Sequence, residues 1–144
     1  MINTLKQQGQ GLIETVIALL IISGGVIALI QFENNLSYGN ALSQQQAEAT
    51  ILATSQIEAL RNFGVLTTTA GYNSYQAIAT GSSTSNGKNT TYTLNWTVTT
   101  SSTTPTYKTV DLTVSWNDLR GTAQSIELTT SILGLDPALQ ANVI

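Results

Sequence analysis

The sequence predicts an α+β chain: a long N-terminal helix, transmembrane in its first half and amphipathic in its second, packed on a small antiparallel β-sheet. Three observations lead there. Residues 12–32, LIETVIALLIISGGVIALIQF, form an apolar run. Residues 34–63 continue without proline as a helical stretch of a different character. Beyond Gly64 the pattern changes to threonine-rich alternation with period two.

The apolar run sets the first element. At about 1.5 Å per residue a helix of its length spans about 30 Å, the thickness of a bilayer core. It comes after a short polar stretch, residues 1–9, whose one cation is Lys6, and Glu33 stands directly beyond it. A lone cation on the N-terminal side favours keeping that end in the cytoplasm, which puts the rest of the chain outside.

Residues 10–33 therefore read as a hydrophobic transmembrane helix and 34–63 as its amphipathic continuation. In the second part Leu42, Ala49, Ala53, Ile57 and Leu60 recur at three-, four- and seven-residue steps and make one apolar stripe. Gln44, Gln45, Glu48, Gln56 and Arg61 fall mainly off it. Gly39 weakens the pattern without ending it, and Gly64 is the expected C-terminal stop. The pattern gives one helix from Gly11 to about Asn62.

Residues 64–144 make the third element, a threonine-rich antiparallel β domain. Its first part is poorly patterned, and residues 81–89, GSSTSNGKN, read as an exposed loop. Three half-buried strands come next. Tyr92, Leu94, Trp96 and Val98 share one face, as do Val110, Leu112, Val114 and Trp116, and then Ile126, Leu128, Thr130 and Ile132. Short connections between them imply an antiparallel meander. A sheet with one apolar face needs a cover, and the stripe from Leu42 to Leu60 is the long amphipathic surface available for it. Both tryptophans fall on apolar strand faces and read as core.

Composition narrows the function. The 144 residues include no cysteine and no histidine, so disulfides, thiolate metal sites and histidine-based acid–base chemistry have no residues to build on. Only 9% of residues are charged and the formal net charge is −3. Lys6, Arg61, Lys88, Lys108 and Arg120 are scattered, so no nucleic-acid partner is expected. Asp111, Asp118 and Asp136 lack calcium-loop spacing and read as solvated surface. No nucleophile–base pair, metal cluster or phosphate loop is visible. The expectation is a protein that is not an enzyme, with no catalytic residue, metal or cofactor.

The residue that stands out is Glu14. A carboxylate inside a membrane run costs on the order of a few kcal/mol at mid-bilayer and less near the interface, so it reads as functional by default. Its bland counterpart is a carboxylate at the membrane interface, tolerated and idle. Gly24 and Gly25 leave three readings open. They can let the helix bend, since glycine costs about 1 kcal/mol against alanine; they can allow close helix packing; or they can face lipid without consequence. Asn35, Asn89 and Asn95 head N-x-S/T triplets, a pattern that alone means little here.

The junction Gly9-Gln10-Gly11-Leu12-Ile13-Glu14-Thr15-Val16-Ile17-Ala18-Leu19 resembles the type IV prepilin signature: a short basic leader ending in glycine, a cut, then an apolar run with glutamate at the fifth mature position. Gly9 as the last leader residue makes Gln10 the first mature residue and Glu14 the fifth; a cut after Gly11 would make Glu14 the third. The resemblance implies cleavage by prepilin peptidase between Gly9 and Gln10 and N-methylation of Gln10. It also implies a filament in which Glu14 of an arriving subunit pairs with the Gln10 amine of its neighbour. The partners it implies are the peptidase, other pilin subunits, the assembly machinery and bacterial inner-membrane lipid. The location it implies is the inner membrane, then a cell-surface pilus or a periplasmic pseudopilus. Within the superfamily the helix and its QIEALRNF ending look most like minor pilins of the PilV type. Gln10 stands where phenylalanine is usual, and the disulfide that closes many pilins has no counterpart.

Two other readings share parts of the pattern. A pseudopilin of type II secretion or DNA uptake carries the same signature. A membrane-anchored or secreted binding module would place an ordinary signal or anchor at the N-terminus. The apolar run, however, continues past Ser23-Gly24-Gly25 into VIALI without an A-x-A-like site soon after it, and that reading gives Glu14 no role.

Overall fold

The computed structural model describes residues 4–135, with side chains from Gly11 onward. Asp136 lies outside the described residues. The elements are α1 (Thr4–Arg61), β1 (Gly81–Asn86), β2 (Thr91–Thr100), β3 (Tyr107–Asn117) and β4 (Ala123–Leu133). The chain divides into two compact units, Met1–Ala41 and Leu42–Ile144.

The α+β arrangement read from the sequence is present: α1 is 58 residues long, and the strands form one antiparallel sheet in the order β1-β2-β3-β4. The helix starts seven positions before the expected Gly11. Residues 4–10, TLKQQGQ, contain no proline and carry Leu5, Lys6 and three glutamines, good helix formers, so the helical backbone runs on through Gly11 without a break. At the other end α1 stops at Arg61, ahead of Gly64. Phe63 turns into the interior against Tyr75, ring centroids 5.4 Å apart, and the Gly64 amide donates to the Asn73 carbonyl. Side-chain burial ends the helix there, without a left-handed glycine.

In the second unit the C-terminal turns of α1 cover the sheet. Ala49 and Ala53 are fully buried and Ile57 nearly so, in one cluster with Tyr92, Leu94, Leu112, Val114 and Trp116. Two alanines at the contact let the helix backbone approach the sheet closely, while the strands supply the bulk. Burying each Leu or Val side chain contributes about 1.5–3 kcal/mol. A second cluster, Tyr75, Ile78, Val110 and Ile132, is closed by Leu60, Phe63 and Leu66. The irregular stretch between α1 and β1 is thus a lid over the other end of the sheet, and the peptide bond before Pro105 is cis.

Four sequence expectations need correction. Residues 81–89 are not an exposed loop. Gly81–Asn86 is an edge strand in register with β2, Gly81 opposite Trp96 and Asn86 opposite Thr91, and the turn is tight, the Gly87 amide donating to the Thr90 carbonyl. Its serines and threonine carry too little apolar signal to announce pairing that is a backbone property. Gln45 is buried, not off the stripe; it precedes Ala49, Ala53 and Ile57 at steps of four and shares their face. Asp118 is buried rather than solvated. One of its carboxylate oxygens accepts the amides of Arg120 and Thr122 at 2.9 Å each, and the other accepts the Gln124 side-chain amide at 3.2 Å. It holds the β3–β4 turn, where Gly121 takes a φ of 79° that side chains with a Cβ rarely adopt. Trp116 is core, but Trp96 is only half-buried, with its indole Nε1 donating to the Ala79 carbonyl.

Candidate functional site

The first unit presents the candidate site. Residues 11–37 are all exposed, and among them Leu12 and Ile21 are each 71% exposed. A helix that leaves a continuous apolar surface uncovered is built for lipid or for other helices. α1 is the single described helix long and apolar enough to cross a membrane.

Within that surface the weak polar groups are satisfied locally. The Thr15 hydroxyl donates to the Gly11 carbonyl at 2.6 Å and the Ser23 hydroxyl to the Leu20 carbonyl at 3.0 Å. Such back-bonding lets serine and threonine sit in apolar surroundings at little cost. Glu14 has no such escape. It is exposed, and it is the one charged residue between Lys6 and Glu33. Position 14 lies one turn beyond position 10, so the two share a helix face. Gly9 and Gln10 fall in the helical backbone of α1; the side chains of Gln10 and Lys6 lie outside the described residues. A methyl group at Gly24 or Gly25 would meet nothing within 4 Å, and the helix runs through both.

The second unit holds polar groups that the sequence pattern did not bring forward. Lys108 is buried, and its Nζ donates to the carbonyls of Ile78 at 2.7 Å and Gln76 at 3.2 Å. The ammonium also lies 5.0 Å from the centre of the Tyr75 ring. Burial pushes its pKa below the usual lysine value. The parity of β3 carried the signal, since Lys108 alternates in step with Val110 and Leu112. Tyr92, fully buried, donates from its hydroxyl to Glu48 Oε2 at 2.9 Å and lies 3.1 Å from the Gln45 carbonyl. Burial, then the hydrogen bond and charge of Glu48, raise its pKa well above the usual phenol value. These contacts fasten the lid and helix to the sheet.

No protein-family model matches the chain, and no curated protein or solved structure matches it.

Proposed function

We propose that this chain is a structural subunit of a type IV pilus-like filament, a pilin-like protein of the minor-pilin kind. In this reading prepilin peptidase removes residues 1–9, Gln10 becomes the methylated N-terminus, and the apolar part of α1 holds the subunit in the inner membrane until it enters the filament. Glu14 carries the reading. It is a lone carboxylate on an exposed apolar helix, one turn after the position where the cut would create an amine. Pairing that amine with Glu14 of a neighbouring subunit compensates both charges in a low-dielectric bundle. An unpartnered charge there is heavily penalised, so the pair would set axial register while the apolar surfaces supply adhesion.

The proposal requires a specific mature terminus. Intact mass spectrometry of the native protein should give a chain that begins at Gln10. Met1 retained in assembled filaments would overturn the reading, and a start beyond residue 30 would point to a secreted module instead.

A further inference from the structure

Asn86 is the one asparagine in the chain that is followed by glycine. It is exposed and ends β1, paired with Thr91 across the β1–β2 turn. In an Asn-Gly pair the glycine nitrogen has no Cβ beside it to keep the asparagine side chain away. Where the backbone is free, that nitrogen attacks the asparagine Cγ. A C–N bond closes a cyclic succinimide, and the side-chain nitrogen leaves as ammonia. Water then opens the ring at either carbonyl and gives aspartate or isoaspartate.

The closed turn holds the reacting atoms apart. The Gly87 amide donates to the Thr90 carbonyl at 2.8 Å, and Asn86 Oδ1 accepts the Thr91 hydroxyl at 3.1 Å. The extended strand backbone at position 86 also points the Gly87 nitrogen away from the place that ring closure needs. The turn opens easily, however. β1 is a six-residue edge strand of glycine, serine, threonine and asparagine, and elements with few apolar contacts open at low free energy.

We propose that Asn86 is a deamidation site, silent while the β1–β2 turn is closed and converted to aspartate and isoaspartate when the turn opens. The products then keep the turn from closing fully. Gly87 has no left-handed φ; glycine stands there because a Cβ would overlap the Tyr92 ring and come within 2.6 Å of Glu48 Oε2. Isoaspartate adds a methylene to the main chain directly before this point, where no room is left for it. Asn86 and Glu48 also line one cleft of about 320 Å³, together with Ile51, Lys88 and Tyr92. Either product therefore brings a second carboxylate toward Glu48, the group that accepts the Tyr92 hydroxyl. Modification loosens β1 from the helix it packs on. The inference is independent of filament assembly, because every residue in it belongs to the second unit.

The test incubates the full chain in detergent at mildly alkaline pH, folded and in urea. Peptide mass spectrometry, with a separation that resolves isoaspartate, follows every asparagine. In urea Asn86 should convert faster than any other asparagine. In the folded chain it should convert at least about tenfold more slowly, because the reaction waits for the open fraction of the turn. Folded protein aged until isoaspartate has accumulated should exchange the Gly87 amide hydrogen severalfold faster than fresh protein. Asn86→Gln, whose longer side chain closes a ring far less readily, should age without that change. Another asparagine ahead of Asn86 in urea, equal Asn86 rates with and without urea, unchanged exchange in the aged protein, or the same gain in aged Asn86→Gln would each overturn the proposal.

Discussion

Single residues show where period and parity inform and where they stop. The alternation of β2, β3 and β4 places Tyr92, Leu112, Val114 and Trp116 correctly in the core, because period two leaves one choice of inward face. Period two extended back from Val110 puts Lys108 inside, and helical spacing puts Gln45 on the face of Ala49 and Ala53, where its polarity had argued otherwise. Asp118 was legible too, as an Asp three residues before Gly121 in a hairpin turn. Tyr92 has a measurable consequence. Its phenol, like that of Tyr75, keeps its proton in the fold at pH values where the unfolded chain has lost it. The stability this supplies is fully present below about pH 10 and is lost as pH climbs from there through the raised folded values. Lys108 acts oppositely, adding stability as pH rises from its lowered folded value toward that of the free amine. Tyr92→Phe should lose about 1 kcal/mol near neutrality, where its hydrogen bond is missing. It should also unfold less steeply above pH 10 than wild type, as followed by circular dichroism across an alkaline titration. Parallel alkaline curves would show that the Tyr92 phenol does not carry the pH dependence.

Among the elements, α1 is legible almost whole from composition and periodicity, whereas β1 is not. A long helix announces itself through propensity and pattern summed over many residues. An edge strand of glycine, serine, threonine and asparagine announces nothing, because its order comes from pairing with β2 and from what its turn packs against. Gly87 shows the second cause. A Cβ there would overlap the Tyr92 ring and lie 2.6 Å from Glu48 Oε2, whereas one at Gly64 would meet its nearest atom at 3.8 Å. Gly87→Ala should therefore cost about 1–3 kcal/mol through overpacking, and Gly64→Ala should be close to neutral. Thermal melting of the two variants beside wild type checks the contrast; equal effects would mean that the β1–β2 turn is not clamped against α1.

For the whole molecule, the division into Met1–Ala41 and Leu42–Ile144 separates an uncovered apolar helix from a unit with its own core. A chain beginning at Asn34 should be water-soluble and melt cooperatively with mixed helix and strand, because both hydrophobic clusters lie entirely beyond that point. A disordered or non-cooperative product would contradict this division. The proposed function rests only on the junction, where glycine, an apolar run and one carboxylate are spaced together. The fold of the second unit adds nothing to that junction. Glu14 therefore bears the weight of the proposed function, and the most direct measurement is the incorporation of Glu14→Leu into sheared filaments against wild type at equal expression. Membrane insertion should persist or improve, since a charge leaves an apolar segment, and cleavage after Gly9 should survive. The expected result is processed, membrane-resident protein that is scarce in the filament fraction. Incorporation at the wild-type level would contradict a role for Glu14 in assembly.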